Sequence, residues 1–189
     1  LTGLIAGESL GKTVASGQFA NKNAGTNKDV LVSHTLVNGS NPSHLASNYV
    51  LADQTLQADI SQKAIALAGF EAANKTYDGN TTAQIANAGS LTGLVQGDSV
   101  RVSNTGATFD NRNAGTAKTV TLNGVALSGT DAGNYSIAGT ATDTADITKR
   151  GGVVLTALNK EKQLGAADPA LTFEVTGLVQ GDSLILRHR

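Results

Sequence analysis

Apolar and polar residues alternate with a period of two along most of the chain. Ser99–Ser103 and Thr119–Leu122 show the alternation most clearly, and this pattern is typical of strands with one buried face. Six further strands are predicted in short segments closed by Gly, Asn or Asp: Ile65–Phe70, Tyr135–Ala138, Ala145–Ile147, Val153–Leu158, Leu171–Val175 and Leu184–Leu186. Only Thr82–Ala88 is compatible with a helix, and Gly89 would end it after two turns at most. The chain is therefore predicted to be all-β.

Two Asn-Gly pairs stand beside these strands. Asn123-Gly124 separates Thr119–Leu122 from Val125–Leu127, and Asn38-Gly39 follows Leu36-Val37. Asn-Gly between alternating apolar runs favours a hairpin, because both residues accept the positive φ of a type I′ turn. We predict the same hairpin in both places.

Repetition is the strongest organising feature of the chain. The octapeptide Thr-Gly-Leu-Val-Gln-Gly-Asp-Ser occurs at Thr92–Ser99 and at Thr176–Ser183, with a close third version at Thr2–Ser9. A tandem array favours a spacer or a multivalent binder over an enzyme, because an active site is normally assembled once. The repeats also indicate that this sequence is a segment of a longer protein.

The repeats divide the chain into one complete unit and two partial ones. The pairs Asp59-Ile60 and Asp146-Ile147 each close a unit, which places a partial unit at residues 1–62, a complete unit at 63–149 and another partial unit at 150–189. Small immunoglobulin-like β-sandwiches are the favoured architecture. A β-grasp arrangement with one short helix is the alternative.

Composition narrows the function classes. The net charge is −1 and charged residues are 15% of the chain, so attraction to nucleic acid or to an anionic membrane surface is unsupported. The absence of Cys excludes disulfides, thiolate catalysis and Cys-ligated zinc. No apolar run approaches the ~20 residues of a membrane-spanning helix. No catalytic arrangement of Ser, His and Asp is found, and we expect no enzymatic activity.

Several motifs carry a resemblance to a known family. They are Asn74-Lys75-Thr76-Tyr77-Asp78-Gly79-Asn80-Thr81-Thr82-Ala83, Leu91-Thr92-Gly93-Leu94 with Gly97-Asp98, Asn113-Ala114-Gly115-Thr116 and Asp131-Ala132-Gly133-Asn134-Tyr135. This series resembles the YDG-type repeat of large bacterial exoproteins similar to filamentous haemagglutinin. The first copy resembles it through Asn23-Ala24-Gly25-Thr26 and Ser47-Asn48-Tyr49. The resemblance implies a secreted or surface-displayed Gram-negative protein that acts in attachment, and it implies no catalytic residues.

The last segment follows a different pattern. Asn159-Lys160-Glu161-Lys162-Gln163-Leu164-Gly165, followed by Asp168-Pro169-Ala170-Leu171 and Thr176-Gly177-Leu178, is similar to the MBG-type repeat, with Leu164 where an aromatic residue is usual. The array is therefore predicted to be mixed.

Tyr77 and Asp78 are the candidate ligand-binding residues. An aromatic ring stacks on sugars and a neighbouring carboxylate accepts their hydroxyl groups, so Tyr77-Asp78-Gly79 has the chemistry of a carbohydrate platform. The favoured interpretation is a strand that ends in an Asp-Gly turn, since aromatic residues are only 4% of the chain and Trp is absent. Tyr135 is predicted to be a core residue like the tyrosine corner of immunoglobulin-like domains.

No cofactor is expected, and calcium is the one alternative. Five aspartates of the complete unit raise this alternative, and the first copy keeps an acidic residue only for the first and the last of them: Asp98, Asp110, Asp131, Asp143 and Asp146. None has the dense oxygen spacing of a calcium-binding loop.

The sequence therefore predicts a non-enzymatic stalk segment of a bacterial surface adhesin. Its expected partners are the neighbouring repeats. The alternative is a multivalent module that binds surface glycans or mucin. A further hypothesis is strand addition between two chains, in which Gly152–Leu186 of one copy completes Leu1–Ile60 of another.

Overall fold

A computed structural model describes residues 1–13 and 16–185 of the chain. Within this part the protein is all-β, as predicted, and no helix reaches seven residues. Thr82–Ala88 is not helical, so the single helix of the β-grasp alternative does not form. The predicted strand Leu184–Leu186 ends outside the described residues, and its first two residues are irregular.

Across the described residues, the regular structure consists of seventeen strands and two 3₁₀ turns. The strands are β1 (Gly11–Lys12), β2 (Ser16–Phe19), β3 (Gly25–Ser33), β4 (Leu36–Val37), β5 (Gln54–Ile60), β6 (Lys63–Ala72), β7 (Lys75–Thr76), β8 (Thr82–Ala83), β9 (Ile85–Thr92), β10 (Arg101–Ser103), β11 (Gly106–Phe109), β12 (Gly115–Asn123), β13 (Ala126–Ser128), β14 (Tyr135–Ile137), β15 (Thr142–Thr148), β16 (Val154–Ala157) and β17 (Phe173–Thr176). The first turn is Ala46–Asn48 and the second turn is Ala132–Asn134.

The chain forms two compact units. The first contains Leu1–Ala64 together with Gly129–Ser136, and the second contains Ile65–Ser128 together with the described residues from Ile137 onward. The division of the sequence into residues 1–62, 63–149 and 150–189 stays a prediction.

The second unit is built around a five-stranded sheet with the order β7-β15-β12-β11-β8. All of its neighbours are antiparallel except β7 and β15, where Lys75 pairs with Ile147 and Thr76 with Thr148 in parallel. The antiparallel pair of β6 and β9 contributes Phe70 of β6 to the same buried cluster. The two sheets therefore share one core, as in a sandwich.

The core residues are those that the period-two pattern places on one face. The cluster comprises Phe70, Ala83, Ala107, Phe109, Val120, Leu122, Ala145 and Ile147. Val120, in the central strand β12, has no exposed surface. Asp143 of β15 accepts a 2.8 Å hydrogen bond from the Ala72 N–H of β6. This bond, followed by one from Thr144, lowers the pKa of Asp143 below its ordinary value, and it ties the two sheets together.

The predicted Asn-Gly hairpins are wrong. β12 does not pair with β13 across Asn123-Gly124, because β13 pairs with β10 and β12 pairs with β11 and β15. Gly124 does have a positive φ of 59°, but it lies where the chain passes from one sheet to another. A Cβ at this position would lie too close to the Thr105 side chain. Asn38-Gly39 likewise follows β4, whose partner is β1.

The first unit repeats part of the second in the same register. Phe19 pairs with Val30 in the sheet β2-β3-β5, as Phe109 pairs with Val120. A shift in register recurs in both copies, and the residue inside it has a positive φ, 50° at Asn27 and 47° at Ala117.

The same hydrogen bond supports the irregularity in each copy. The Asn27 N–H donates to Asp59 Oδ1 at 2.8 Å, and the Ala117 N–H donates to Asp146 Oδ1 at 2.8 Å. The repeats thus encode an irregular feature as faithfully as they encode the strands.

Burial differs between the copies. None of the described residues in 1–64 is fully buried, and Leu31 and Leu56 are 49% and 57% exposed. Val30 is half-buried, although it occupies the position of the fully buried Val120. The two copies therefore share the register of strand pairing, while the burial of equivalent residues depends on the strands that cover each sheet.

The second turn packs on a loop of the first unit. Asn134 accepts a 2.8 Å hydrogen bond from the Ala24 N–H through Oδ1 and donates from Nδ2 to Asn23 Oδ1 at 3.3 Å. Gln62 Nε2 donates to the Gly133 carbonyl at 2.9 Å. An ion pair of 3.6 Å joins Lys22 to Asp131. We call Lys22-Asn23-Ala24 with Gln62 the first docking loop.

Val120→Ala tests the assignment of the core. Because Val120 is fully buried, we expect the second unit to lose about 2 kcal/mol of unfolding free energy from lost burial and the cavity left behind. Urea unfolding followed by circular dichroism measures the loss, and amide exchange in β12 assigns it to the second unit. Val30→Ala is the matched control and should cost under about 1 kcal/mol. Equal losses in the two variants would contradict the assignment.

Candidate functional site

The candidate residues Tyr77 and Asp78 lie in a loop organised by the ammonium group of Lys75. Lys75 Nζ donates to Asp78 Oδ1 at 2.8 Å, to the Asn80 carbonyl at 2.9 Å and Oδ1 at 3.0 Å, and to the Thr82 carbonyl at 3.0 Å. The same nitrogen lies 5.5 Å from the centre of the Phe109 ring, within the range of a cation–π contact. Four oxygens and one ring therefore surround a single cation.

Asp78 has a structural role in this loop. Besides Lys75, its carboxylate accepts the Asn80 N–H at 3.1 Å, and Asn80 Oδ1 in turn accepts the Thr82 N–H at 2.9 Å. The Lys75 ammonium is the main cause that lowers the pKa of Asp78 below its ordinary value. Such local bonds are typical of an Asx turn, the favoured interpretation of the sequence.

Tyr77 is joined to a distant residue of the second unit. Its hydroxyl donates to Asp182 Oδ1 at 2.9 Å, and Arg112 Nη2 lies 3.1 Å from the same oxygen. The hydrogen bond to the Asp182 carboxylate is the main cause that raises the pKa of Tyr77 above its ordinary value, and desolvation is the second cause. Tyr77, Arg112 and Asp182 form a cluster that we call the tyrosine cluster.

Sequence reasoning missed Lys75, Arg112 and Asp182. The (i, i+3) spacing of Lys75 and Asp78 was a visible signal for the first. Asp182 is the acidic residue of the octapeptide at Thr176–Ser183, but nothing in the sequence pairs it with Tyr77. Tyr77 and Asp78 as ligand-binding residues stay a prediction, and their polar groups already have partners within the chain.

A cavity of about 350 Å³ adjoins the tyrosine cluster. Its lining combines cationic and apolar groups: Tyr77, Asn113, Ala114, Lys149, Arg150, Val153, Gly177, Leu178, Val179 and Asp182. Lys149 and Arg150 are both exposed. An anionic or hydroxyl-rich molecule of modest size matches this lining chemically.

The acidic residue of the octapeptide also meets a tyrosine in the first unit. The Tyr49 hydroxyl donates to the Glu8 carboxylate and accepts the Ile5 N–H at 3.1 Å. The bond to Glu8 is the main cause that raises the pKa of Tyr49. Tyr135, predicted to be a core residue, is only 4% exposed.

The aspartates considered as calcium ligands are dispersed. Four of them contact different groups: Asp110 pairs with Lys118 at 2.7 Å, Asp131 forms an ion pair with Lys22 at 3.6 Å, Asp143 accepts from the Ala72 N–H at 2.8 Å and Asp146 accepts from the Ala117 N–H at 2.8 Å. Across residues 1–13 and 16–185, no group of three or more His, Asp or Glu side chains is arranged to hold a metal ion. The part of the chain that the structure describes also has no helix with the length and apolar character needed to span a membrane.

Comparison with protein families places a YDG domain at residues 61–145. Neither the comparison with curated proteins nor that with solved structures found a match. The YDG domain thus contains Lys75, Tyr77 and Asp78, together with Arg112 of the tyrosine cluster, whereas Asp182 lies beyond it.

Asp182→Asn tests the tyrosine cluster. Because the carboxylate favours the protonated phenol, we expect the substitution to lower the pKa of Tyr77 toward the ordinary value. The raised pKa means that this contact stabilises the fold below pH about 10 and is lost as the pH rises through the pKa of Tyr77. Near-ultraviolet absorbance of phenolate measures the titration, and Tyr77→Phe identifies the contribution of Tyr77. Asp168→Asn, at an exposed carboxylate, is the control, and an unchanged Tyr77 titration in Asp182→Asn would exclude the contact.

Proposed function

We propose that this segment, which carries a YDG domain at residues 61–145, is a non-enzymatic stalk or spacer of a secreted or surface-displayed bacterial adhesin. Its partners are the neighbouring repeats of the same protein. A stalk must resist tension applied along the chain. The observation that carries the proposal is the parallel pairing of β7, early in the domain, with β15 at its end.

Parallel pairing of these strands has a mechanical consequence. When a chain is pulled at both ends, tension that reaches β7 through β6 drags β7 and β15 in opposite directions along their length. Their hydrogen bonds are then loaded in shear, so several must break together instead of one after another. A short strand such as β7 thereby gains resistance from every bond that it makes with β15.

Further backbone and side-chain hydrogen bonds reinforce this pair of strands. The Tyr77 N–H donates to the Thr148 carbonyl at 2.9 Å. The Asp146 N–H donates to Asn74 Oδ1 at 2.7 Å, and Thr148 Oγ1 donates to the Lys75 carbonyl at 3.3 Å. These bonds extend the connection beyond the two paired residues on each strand.

The recurring residues further support a scaffold. Between the copies, the groups that recur in register are the core pair Phe-Val, the Asp that supports the bulge and the Asn-Ala-Gly loop. Each of them has a partner or a packing role within the chain. A repeated binding face would instead repeat polar and aromatic groups directed to solvent.

Single-molecule stretching of the complete chain tests the mechanical role. Residues 65–147, at about 3.6 Å each, should release slightly less than ~300 Å of chain when the segment from β6 to β15 unfolds. We expect the double variant Asn74→Ala, Thr148→Val to unfold at a lower force, because two bonds between β7 and β15 are removed.

Thr142→Val is the matched control for the stretching experiment. Thr142 is exposed and lies in the same strand as Thr148, but at the end away from β7. Its substitution should leave the unfolding force unchanged. An equal effect of both variants, or no effect of the double variant, would contradict the role of the parallel pair.

The alternative function is multivalent binding of glycans or mucin, and the cavity beside Tyr77 is the observation in its favour. Lys149 and Arg150 at its edge would select glycans that carry carboxylate or sulfate groups. Each site would be weak, and repetition along the protein would supply the avidity.

A glycan array probed with the chain, both free and displayed on beads, tests this alternative. It predicts that the beads bind acidic glycans and that Arg150→Ala removes the binding. Arg101→Ala, an exposed arginine in β10, is the control. If the folded chain displayed on beads binds no glycan, the stalk remains the only proposed function.

A further inference from the structure

The contact between the second turn and the first docking loop recognises asparagine specifically. The Asn134 amide accepts from the Ala24 N–H and donates to Asn23 Oδ1 at the same time. Only a side chain with a donor and an acceptor side by side makes both bonds. Both members of this contact have a second version in the chain.

The second docking loop is Arg112-Asn113-Ala114 with Lys149. It keeps the chemistry of the first, since a cation precedes Asn-Ala and Lys149 supplies the long donor that Gln62 supplies in the first copy. The loop geometry also recurs: the Asn23 N–H donates to Asn21 at 3.1 Å, and the Asn113 N–H donates to Asn111 at 3.0 Å.

The second docking loop is open. Ala114 is exposed, whereas Ala24 is half-buried under the second turn. Within residues 1–13 and 16–185, no hydrogen bond of the Ala114 N–H is found. Ala114, Asn113 and Lys149 line the cavity of about 350 Å³, so there is space for an incoming turn beside Asp182, which pairs with Arg112.

The first turn, Ala46–Asn48, has the form of the second. The residues that follow the two turns, Tyr49 and Tyr135, have φ and ψ of −130° and 149° and of −129° and 152°. Asn48 stands in the position of Asn134 but is exposed, whereas Asn134 is half-buried. In the described part of the chain, the Asn48 side-chain amide has no hydrogen-bond partner.

We propose that this chain associates head to tail, with the first turn of one copy bound to the second docking loop of another. The Asn48 amide accepts from the Ala114 N–H and donates to Asn113 Oδ1, and Lys149 Nζ donates to the Ser47 carbonyl. Leu45 precedes the first turn, at the position where Asp131 precedes the second turn. Because Leu45 offers no carboxylate, Arg112 keeps its ion pair with Asp182. The contact is heterologous, and each complex therefore presents a free turn and a free loop for further copies.

The association is independent of the proposed stalk function, and it is weak. Three exposed hydrogen bonds suit a contact that forms near millimolar concentration, which is the effective concentration supplied by a short tether. On a surface crowded with copies of this protein, the same contact would join neighbouring molecules.

NMR of the complete chain at roughly 50 μM to about 1 mM tests the proposal. We expect the Ala114 backbone amide and the Asn48 side-chain amide to shift together as the concentration rises. Asn48→Ala should abolish the shift at Ala114 or weaken the association by at least about tenfold. Asn159→Ala, at an exposed asparagine in the last segment, is the control and should leave it intact.

A mixing experiment then identifies the two surfaces. The Asn48→Ala variant retains the second docking loop but lacks the side-chain amide of the first turn. The Ala114→Pro variant retains the first turn but lacks the backbone N–H at residue 114. Neither variant should associate alone, and a mixture of the two should pair. If Ala114→Pro does not fold, Asn113→Leu serves in its place. Two results would overturn the proposal. One is that the signals of the unsubstituted chain stay constant up to about 1 mM. The other is association that Asn48→Ala leaves unchanged, which is the behaviour expected of strand addition.

Discussion

The hydrogen bonds of the Lys75 ammonium group are the interactions on which the loop from Asp78 to Thr82 depends. The Lys75 side chain is only 12% exposed, and a cation removed from water to this extent is tolerated only where acceptors replace its hydration. The loop from Asp78 to Thr82 supplies those acceptors, and Phe109 links the cation to the core. The Lys75 ammonium thereby joins the loop that follows β7 to the core, while the Lys75 backbone pairs with β15.

The two copies separate what a repeat encodes from what its surroundings add. Pairing register, the bulge at Asn27 and Ala117 and the Asp that supports it are the same in both. Burial is different, since Val120 is fully buried while Val30 is half-buried at the equivalent position. Local hydrogen bonding is thus a property of the repeated sequence, while the energy of the core comes from the elements that cover it.

Period-two alternation was sufficient to predict the all-β class and most of the strands, since side-chain alternation is a direct consequence of strand geometry. The Asn-Gly hairpins could not be predicted correctly, because Gly124 is needed for close approach to Thr105 rather than for a two-residue turn. In the candidate site, the structural role of Asp78 followed from its turn chemistry. The partners of Tyr77 did not, because Asp182 lies 105 residues further along the chain.

The octapeptide carries an acidic residue, Glu8 or Asp182, that binds a tyrosine in both units. Tyr49 comes from the same repeat as Glu8, whereas Tyr77 comes from the repeat before Asp182. One short segment therefore brings an acidic residue to a tyrosine in each unit, whether the tyrosine belongs to the same repeat or to the one before it. A shared contact of this kind lets repeats of different sequence be exchanged, added or lost without a new contact at each junction.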